Sequence, residues 1–357
     1  MSVGFQYSFP AVRGRQAGRE YFITMCPLKL IIKLFLFDEE ELPPEYRAQR
    51  VLNKARVPDI INYIVENPTD YVFSSLTASI DGELIFEAFD GLDLGTLHVP
   101  MDARFLLNDG QHRRAAIEEA IKINPSLANE TISLVIFQDH KLERSQQMFA
   151  DLNKHAVNTT KSIGILYESR DPMAIMTKKI VEQVEMLTLF TDKENSSLSK
   201  FSPKIFTLSS LYNTNKRLLN THQREITSKE EQFVLQFWTS LCDTIAEWKQ
   251  VKNKTLTACD LRRHYVISHG IVLESIGSLM SFLDKEQMDW QSYVPKLNSI
   301  NWSRENIMDW QGRVIDYNGR ISKSKTNLTL TTIRLKELLQ IPLNIEDIKF
   351  NKKRRGR

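Results

Sequence analysis

The pattern of apolar residues changes near residue 165 of this 357-residue chain. Before that point, short apolar runs alternate with segments of helical spacing, which is typical of mixed α/β structure. Beyond it, long helical stretches dominate, at residues 172–187, 230–249 and 261–283. We therefore predict an α+β domain over residues 1–165, a mainly α-helical domain over 166–345 and a basic C-terminal tail over 346–357.

The first part of the chain predicts strands at residues 21–24, 28–37, 105–107 and 131–137, and helices at 111–123 and 141–155. A further helical region follows Pro43 and Pro44 and extends to Glu66. Residues 72–80 and 84–89 flank Asp81-Gly82, a dipeptide that favours a tight turn with positive φ. We therefore expect a β-hairpin at that turn.

The apolar run at residues 27–37 is interrupted by Lys29 and Lys33, and it is too short to cross a bilayer. We interpret it as a buried strand next to an inert, buried thiol at Cys26. The three cysteines, which include Cys242 and Cys259, are far apart and form no C-x-x-C pair. These features predict a cytoplasmic protein without disulfides, without a metal site and without membrane contact.

The composition and the charge favour a folded protein with one basic end. The chain is 42% hydrophobic and 25% charged, which is typical of globular proteins. Its formal net charge is +3, and residues 352–357 carry five positive charges. We therefore attribute the positive net charge of the chain to the tail. This tail either attracts polyanions or is a solvated, disordered end.

The segment that carries the most chemistry is residues 105–117, in which an apolar strand leads into a glycine turn and a helix. The first amides of a helix lack intrahelical acceptors and lie at the positive end of the helix dipole. Two arginines are unfavourable at that end unless an anion such as phosphate is bound there. The residues predicted to bind phosphate at this turn are Asp109, Gly110, Gln111, His112, Arg113 and Arg114.

The same turn also has an ordinary structural interpretation, in which the arginines pair with a nearby carboxylate and Asp109 supplies it or caps the helix. A second polar segment, residues 144–161, contains Asn153 near the end of a predicted helix. This segment is either the other wall of the anion site or a helix C-terminus with complementary cations. Both pairs of alternatives remain open.

Two runs of sequence resemble a known family. Asp-Gly-Gln-His-Arg at residues 109–113 resembles the signature of DGQHR-domain proteins, and Gln-Gln-Met-Phe-Ala-Asp-Leu-Asn at 146–153 resembles their second block. In length and order of blocks the chain is similar to the DndB family of DNA phosphorothioation (dnd) systems. The resemblance implies a ParB/sulfiredoxin-like fold for the first domain, with Gln111, His112, Arg113 and Arg114 where the related proteins hold phosphate. We add Asn153 to the residues predicted to bind a phosphate or nucleotide. ParB-type proteins carry acidic and arginine residues where Gln111 and His112 stand, which argues against nucleotide hydrolysis.

The resemblance also implies a DNA-binding repressor that regulates transcription of a DNA sulfur modification operon, with double-stranded DNA as its partner. The residues that we predict to contact DNA are Arg262, Arg263, Lys323, Lys325, Lys352, Lys353, Arg354 and Arg355. The first two begin the helix predicted at residues 261–283, which either enters a major groove or presents a solvated face. Other proteins of the modification system and further copies of the chain are additional candidate partners. The five tryptophans, all in the second half, are interpreted mainly as core, with partner binding as the alternative.

The alternative function is a nucleotide-binding or nucleotide-hydrolysing enzyme, or a nucleotide-gated switch that acts on DNA. Such an enzyme would be an NTPase or a DNA-acting phosphodiesterase. The sequence has no Walker-type Gly-Lys-Ser/Thr loop, and carboxylates near the glycine turn are few, which disfavours metal-assisted hydrolysis. We therefore predict no catalytic residues and no cofactor, with a bound nucleotide as the alternative.

Overall fold

The computed structural model describes residues 5–35, 52, 54–139, 142–154, 159–220 and 225–355. The chain divides into two compact units, Met1–Val157 and Asn158–Arg357. The first unit contains a mixed sheet with helices, and the second is mainly helical, which confirms the predicted fold class. Within the ranges described, no helix is both long enough and apolar enough to cross a membrane.

A seven-stranded sheet is the framework of the first unit. Its strands are β1 (Gln6–Gln16), β2 (Arg19–Pro27), β3 (Leu76–Asp81), β4 (Ile85–Ala88), β5 (Leu94–Pro100), β6 (Arg104–Asp109) and β7 (Thr131–Gln138). They lie in the order β4-β5-β1-β2-β7-β3-β6, in which β3 and β7 are parallel and all other neighbours are antiparallel. Alternate residues of a strand point to one face, so Leu76, Ala78 and Ile80 of β3 enter the core together.

The described residues of the first unit also form four α-helices: α1 (Leu28–Leu34), α2 (Val57–Glu66), α3 (Gln111–Ile123) and α4 (Leu142–Lys154). Helix α1 shows that the strand predicted at residues 28–37 is wrong over residues 28–34, while residues 36 and 37 lie outside the described ranges. Leu28, Ile31 and Leu34 are buried at a spacing of three, whereas Lys29 and Lys33 are exposed, so the lysines mark the outer face of a helix. Helix α2 confirms the described part of the helical region that ends at Glu66, while Pro43 and Pro44 lie outside the described residues.

The predicted β-hairpin at Asp81-Gly82 is also wrong, although both of its strands exist. Strand β4 pairs with β5, and β3 lies between β7 and β6, so the two strands are not neighbours. Gly82 does not adopt a positive φ. The close approach of Ala103 explains why this residue is a glycine, because a Cβ at position 82 would lie 2.7 Å from the Cβ of Ala103.

The second unit is built from helices and a two-stranded parallel ladder, β8 (Thr191–Asp192) and β9 (Phe206–Thr207). Its helices are α5 (Lys161–Tyr167), α6 (Pro172–Gln183), α7 (Glu185–Phe190), α8 (Leu208–Leu219), α9 (Ser228–Thr244), α10 (Ala246–Lys252), α11 (Ala258–His264), α12 (Gly270–Lys285), α13 (Ile307–Trp310), α14 (Lys325–Leu338) and α15 (Ile345–Arg355). Each of the three predicted long helices is therefore two shorter ones. The breaks at Val184 and Ile245 place a β-branched residue in extended conformation.

Helix α12 lies at the centre of the second unit and packs against α8 and α14. Its residues Ile271, Ile276, Leu279 and Leu283 are at most 1% exposed. All five tryptophans are buried, and Trp302 stacks on Trp310 with ring centroids 5.3 Å apart. The interpretation of the tryptophans as core residues is confirmed, and none of them offers an exposed ring to a partner.

Candidate functional site

The glycine turn of the first unit joins β6 to α3. Gly110 has φ +108°, and a Cβ at this position would lie 2.2 Å from Cδ2 of Leu76. Both the conformation and the lack of space therefore require glycine. Helix α3 begins at Gln111, as predicted, and no side chain caps it. Among the described atoms, the backbone amides of Gln111 and Arg113 and the buried side-chain nitrogen Nε2 of Gln111 have no acceptor.

The Arg113 guanidinium is engaged by the protein itself. Nη2 donates to Oδ2 of Asp109 at 2.6 Å, and Nη1 donates to the hydroxyl of Ser74, to the carbonyl of Ser74 and to the carbonyl of Ser75. These bonds connect the end of β6 to the segment that leads into β3. Because the guanidinium is largely buried and paired with a carboxylate, its location needs no bound anion.

The second arginine of the turn is also paired with a carboxylate. Arg114 lies 3.3 Å from Glu118, one helical turn further along α3. The electrostatic cost that suggested a phosphate is therefore offset within the chain, as in the structural alternative that the sequence left open. Phosphate binding at this turn stays a prediction that rests on the free amides. The side chain of Asn153 lies outside the described residues.

The sequence did not single out the residue that connects the glycine turn to its surroundings. Asn108 is fully buried directly before Asp109. Its Oδ1 accepts a hydrogen bond from Ser79 of β3 at 2.9 Å, and its Nδ2 donates to the carbonyl of Ser145 in α4 at 3.0 Å. Asn108 thus joins β3, β6 and α4. The sequence feature that could have indicated this role is an asparagine at the end of an otherwise apolar strand.

In the second unit, three of the predicted DNA-contacting residues, Arg262, Arg263 and Lys323, line one cavity of about 460 Å³. We call this the cationic cavity. A fourth cation, Lys200, also lines it, and its described lining contains no carboxylate. This grouping is not visible in the sequence, because Lys200 and Lys323 are more than a hundred positions apart.

Among the described residues, the Arg262 guanidinium forms hydrogen bonds only to backbone carbonyls. It donates to the carbonyls of Ser199, Lys200 and Lys204. Its pKa is lowered by burial, but an arginine stays protonated at neutral pH. Since a carbonyl is a dipole without net charge, the positive charge of Arg262 is not cancelled by these contacts.

Lys323, in contrast to Arg262, is paired with a carboxylate. Its Nζ lies 2.5 Å from Oε1 of Glu274, a residue of α12 that is only 4% exposed. Nε of Arg217 lies 3.9 Å from the other oxygen of that carboxylate. Lys323 is therefore mainly the partner of a buried glutamate, which reduces what it contributes to a ligand.

The prediction that Arg262 and Arg263 begin a long helix is wrong. The two residues lie in the last turn of α11, not at the beginning of a long helix. Cations at a helix C-terminus complement the dipole. Lys325 is exposed at the first position of α14. The backbone is helical to Arg355, whereas the side chains of Lys352, Lys353, Arg354 and Arg355 lie outside the description.

The two units carry opposite net charges. Met1–Val157 contains 16 Lys and Arg against 22 Asp and Glu, a formal net charge of −6. Asn158–Arg357 contains 31 against 22, a net charge of +9, and five of its positive charges belong to residues 352–357. Without that tail the second unit is still +4. The tail therefore accounts for the positive net charge of the whole chain, and the second unit is basic even without it.

Comparisons with known proteins add to these observations. A family model described as "DndB: DNA-sulfur modification-associated" matches residues 9–342, nearly the whole chain. No curated protein and no solved structure matches the chain. The ParB/sulfiredoxin-like assignment of the first unit therefore remains a prediction. In the part of the chain that the structure describes, no group of three His, Cys, Asp or Glu residues is arranged to hold a metal ion.

Proposed function

Because the chain belongs to the DndB family and so takes part in DNA sulfur modification, we propose that it is a DNA-binding repressor of a phosphorothioate-modification operon. The observation that carries this proposal is the +9 charge of the second unit beside the −6 of the first. Lys and Arg side chains bind DNA by releasing counterions from its phosphates. The second unit is therefore the part of the chain that holds DNA.

The proposed contacts in the second unit come from cations without a carboxylate partner among the described residues. Arg263, Arg320 and Lys325 are exposed, and none of them forms an ion pair there. The helical tail contributes Lys352–Arg355 as a further block of positive charge. Contacts of this kind fix the position of a protein on DNA without reading the base sequence.

The binding proposal is tested by fluorescence anisotropy with the full chain. A labelled duplex from upstream of the modification operon is compared with a scrambled duplex of the same composition over a series of salt concentrations. We expect tighter binding to the operon sequence, since a regulator must distinguish it. Equal affinity for both duplexes, at every salt concentration, would contradict a role in sequence-specific regulation.

The contribution of the tail is measured in the same assay with a variant that lacks residues 352–357. Each lost phosphate contact lowers the slope of log K against log salt by about 0.9. We expect the deletion to weaken binding to both duplexes by a similar factor and to flatten the slope. An unchanged slope would exclude the tail and leave the contacts to the rest of the second unit.

Repression itself needs an experiment in cells. A reporter gene placed behind the promoter of the modification operon is measured with and without the protein. We expect reporter expression to rise when the protein is absent and to fall again when it is supplied from a plasmid. A variant that no longer binds the operon duplex in solution should not restore repression. Restoration by that variant would separate regulation from DNA binding.

A further inference from the structure

The cationic cavity has the size and walls of a small-molecule site. Its volume of about 460 Å³ falls within the range of about 300–1000 Å³ that is usual for ligand sites. Its walls come from the loop at residues 196–200, the beginning of α8, the end of α11 and the beginning of α12. Six serines contribute to this lining: Ser196, Ser197, Ser199, Ser209, Ser210 and Ser268.

The charge of the cavity is the observation that identifies its ligand. Lys200, Arg262 and Arg263 line it, and no carboxylate among the described residues forms an ion pair with any of the three. His269, which also lines it, is neutral at pH 7 and donates through Nε2 to the carbonyl of Arg262. Three formal positive charges around one cavity favour an anionic ligand, and hydroxyl groups provide further donors to its oxygens.

The beginning of α12 adds backbone donors at the same place. The amides of Gly270 and Ile271 have no acceptor within the described chain, and no side chain caps this 16-residue helix. A Cβ at Gly270 would lie 3.4 Å from the Cβ of Ser210 and 3.9 Å from Nζ of Lys323, so the amides lie next to the cavity wall. Free amides at a helix start favour phosphate oxygens.

We propose that the cationic cavity binds a small phosphorylated ligand of nucleotide size, at a site separate from the glycine turn. Of the exposed cations proposed above to contact DNA, Arg263 lines this cavity, whereas Arg320 and Lys325 do not. The three cations of the cavity and the amides of α12 hold the phosphate oxygens. The serine-rich walls accept the rest of the ligand. Phosphate is preferred over carboxylate because it presents more oxygens and more negative charge to several donors at once.

A cysteine in the wall provides a direct test of occupancy. Cys259 lines the cavity and is partly exposed, whereas Cys26 and Cys242 are buried. The neutral reagent iodoacetamide should therefore modify Cys259 first, and mass spectrometry of the peptide gives the rate. At a ligand concentration of about ten times Kd, mass action predicts that this rate falls about tenfold. The probes are tripolyphosphate, ATP and a short DNA duplex, with sodium chloride at matched ionic strength.

We expect tripolyphosphate or ATP to protect Cys259, and chloride to leave its rate unchanged. Protection by tripolyphosphate and ATP alike indicates that the cavity recognises phosphate alone, whereas stronger protection by ATP adds a nucleoside to the ligand. Protection by the duplex alone would contradict the proposal, because the cavity would then belong to the DNA surface. Absence of protection by all three probes would also contradict it.

Matched variants assign the effect to the cavity. Loss of one charge-assisted hydrogen bond weakens binding about tenfold, so Arg263→Gln and Lys200→Gln should each raise Kd by about that factor. Lys249→Gln makes the same change of charge on an exposed residue of α10 outside the lining, and it should leave Kd unchanged. All three sites are exposed, so we expect the variants to fold. If Lys249→Gln raised Kd by the same factor, the effect would come from the overall charge of the protein and not from the cavity, which would overturn the proposal.

Discussion

Two pairs of neighbouring arginines, one pair in each unit, are held in different ways. In the first, Arg113 and Arg114 each pair with a carboxylate, so the turn that carries them has little excess charge. In the second, Arg262 forms hydrogen bonds only to carbonyl groups among the described residues, and Arg263 forms no ion pair with a described carboxylate. A run of arginines in a sequence therefore does not show where an anion binds. The partner of each guanidinium decides whether its charge is available to a ligand.

The same comparison applies to backbone donors. Helices α3 and α12 both begin without a side-chain cap. At α3 the neighbouring guanidinium of Arg113 is occupied by Asp109, Ser74 and Ser75. At α12 the neighbouring cations line a cavity. The first arrangement mainly stabilises the fold, and the second has both the donors and the space that a ligand requires.

The largest effect on stability is expected at Asn108. Asn108→Ala removes both hydrogen bonds of a fully buried amide and leaves the Ser79 hydroxyl with only its weak contact to Sδ of Met148 at 3.9 Å. We expect the free energy of unfolding to fall by about 3 kcal/mol, measured by urea denaturation of the full chain. Asn318→Ala, at an exposed site, is the control and should change it little. A small effect of Asn108→Ala would mean that the hydrogen bonds of Asn108 do not stabilise the glycine turn.

The next effect separates the two arginines of the turn. Arg113→Gln removes a charge-assisted network that involves Asp109, Ser74 and Ser75, and we expect a loss of about 2.5 kcal/mol. Arg114→Gln removes a single, partly exposed i,i+4 ion pair and should cost less than Arg113→Gln, about 0.5 kcal/mol. Both values come from the same denaturation assay. Equal effects would contradict the structural role assigned to Arg113.

A smaller effect concerns the pH dependence of the second unit. Burial lowers the pKa of His269 to about 4, the hydrogen bond to the Arg262 carbonyl opposes this shift, and the charges of Arg304 and Arg262 support it. The unfolded chain takes up this proton near pH 6.5 and the folded chain only near pH 4, so stability falls as the pH is lowered from 7 to 4. His269→Gln should remove about 2 kcal/mol of the stability difference between pH 7 and pH 5. An unchanged pH profile would show that His269 titrates normally.

The local structure around the glycine turn was predictable because its signals are local. Gly110 lies directly before α3, which begins at Gln111 and ends at Ile123, as the sequence indicated. Local patterns did not show which strands pair, because β3 lies between β7 and β6 through contacts distant in sequence. The strand predicted at residues 28–37 failed because Lys29 and Lys33 were treated as interruptions of a strand, not as the outer face of a helix.

The cationic cavity was beyond sequence analysis for a different reason. Arg262, Arg263 and Lys323 were each noted for their charge, but only folding shows that they share a wall and that Lys323 neutralises Glu274. The opposite charges of the two units, in contrast, were already present in the sequence. They were missed because charge was counted over the whole chain and its tail instead of over each unit.

The proposal that the second unit holds DNA is tested most directly by two full-chain variants with matched losses of charge. One replaces Arg263, Arg320 and Lys325 of the second unit with glutamine, and the other replaces Arg15, Arg114 and Lys122 of the first. We predict that the first variant flattens the slope of log K against log salt for duplex DNA by about two to three and that the second leaves it unchanged. Equal slopes for the two variants, or a flatter slope for the second, would contradict the account.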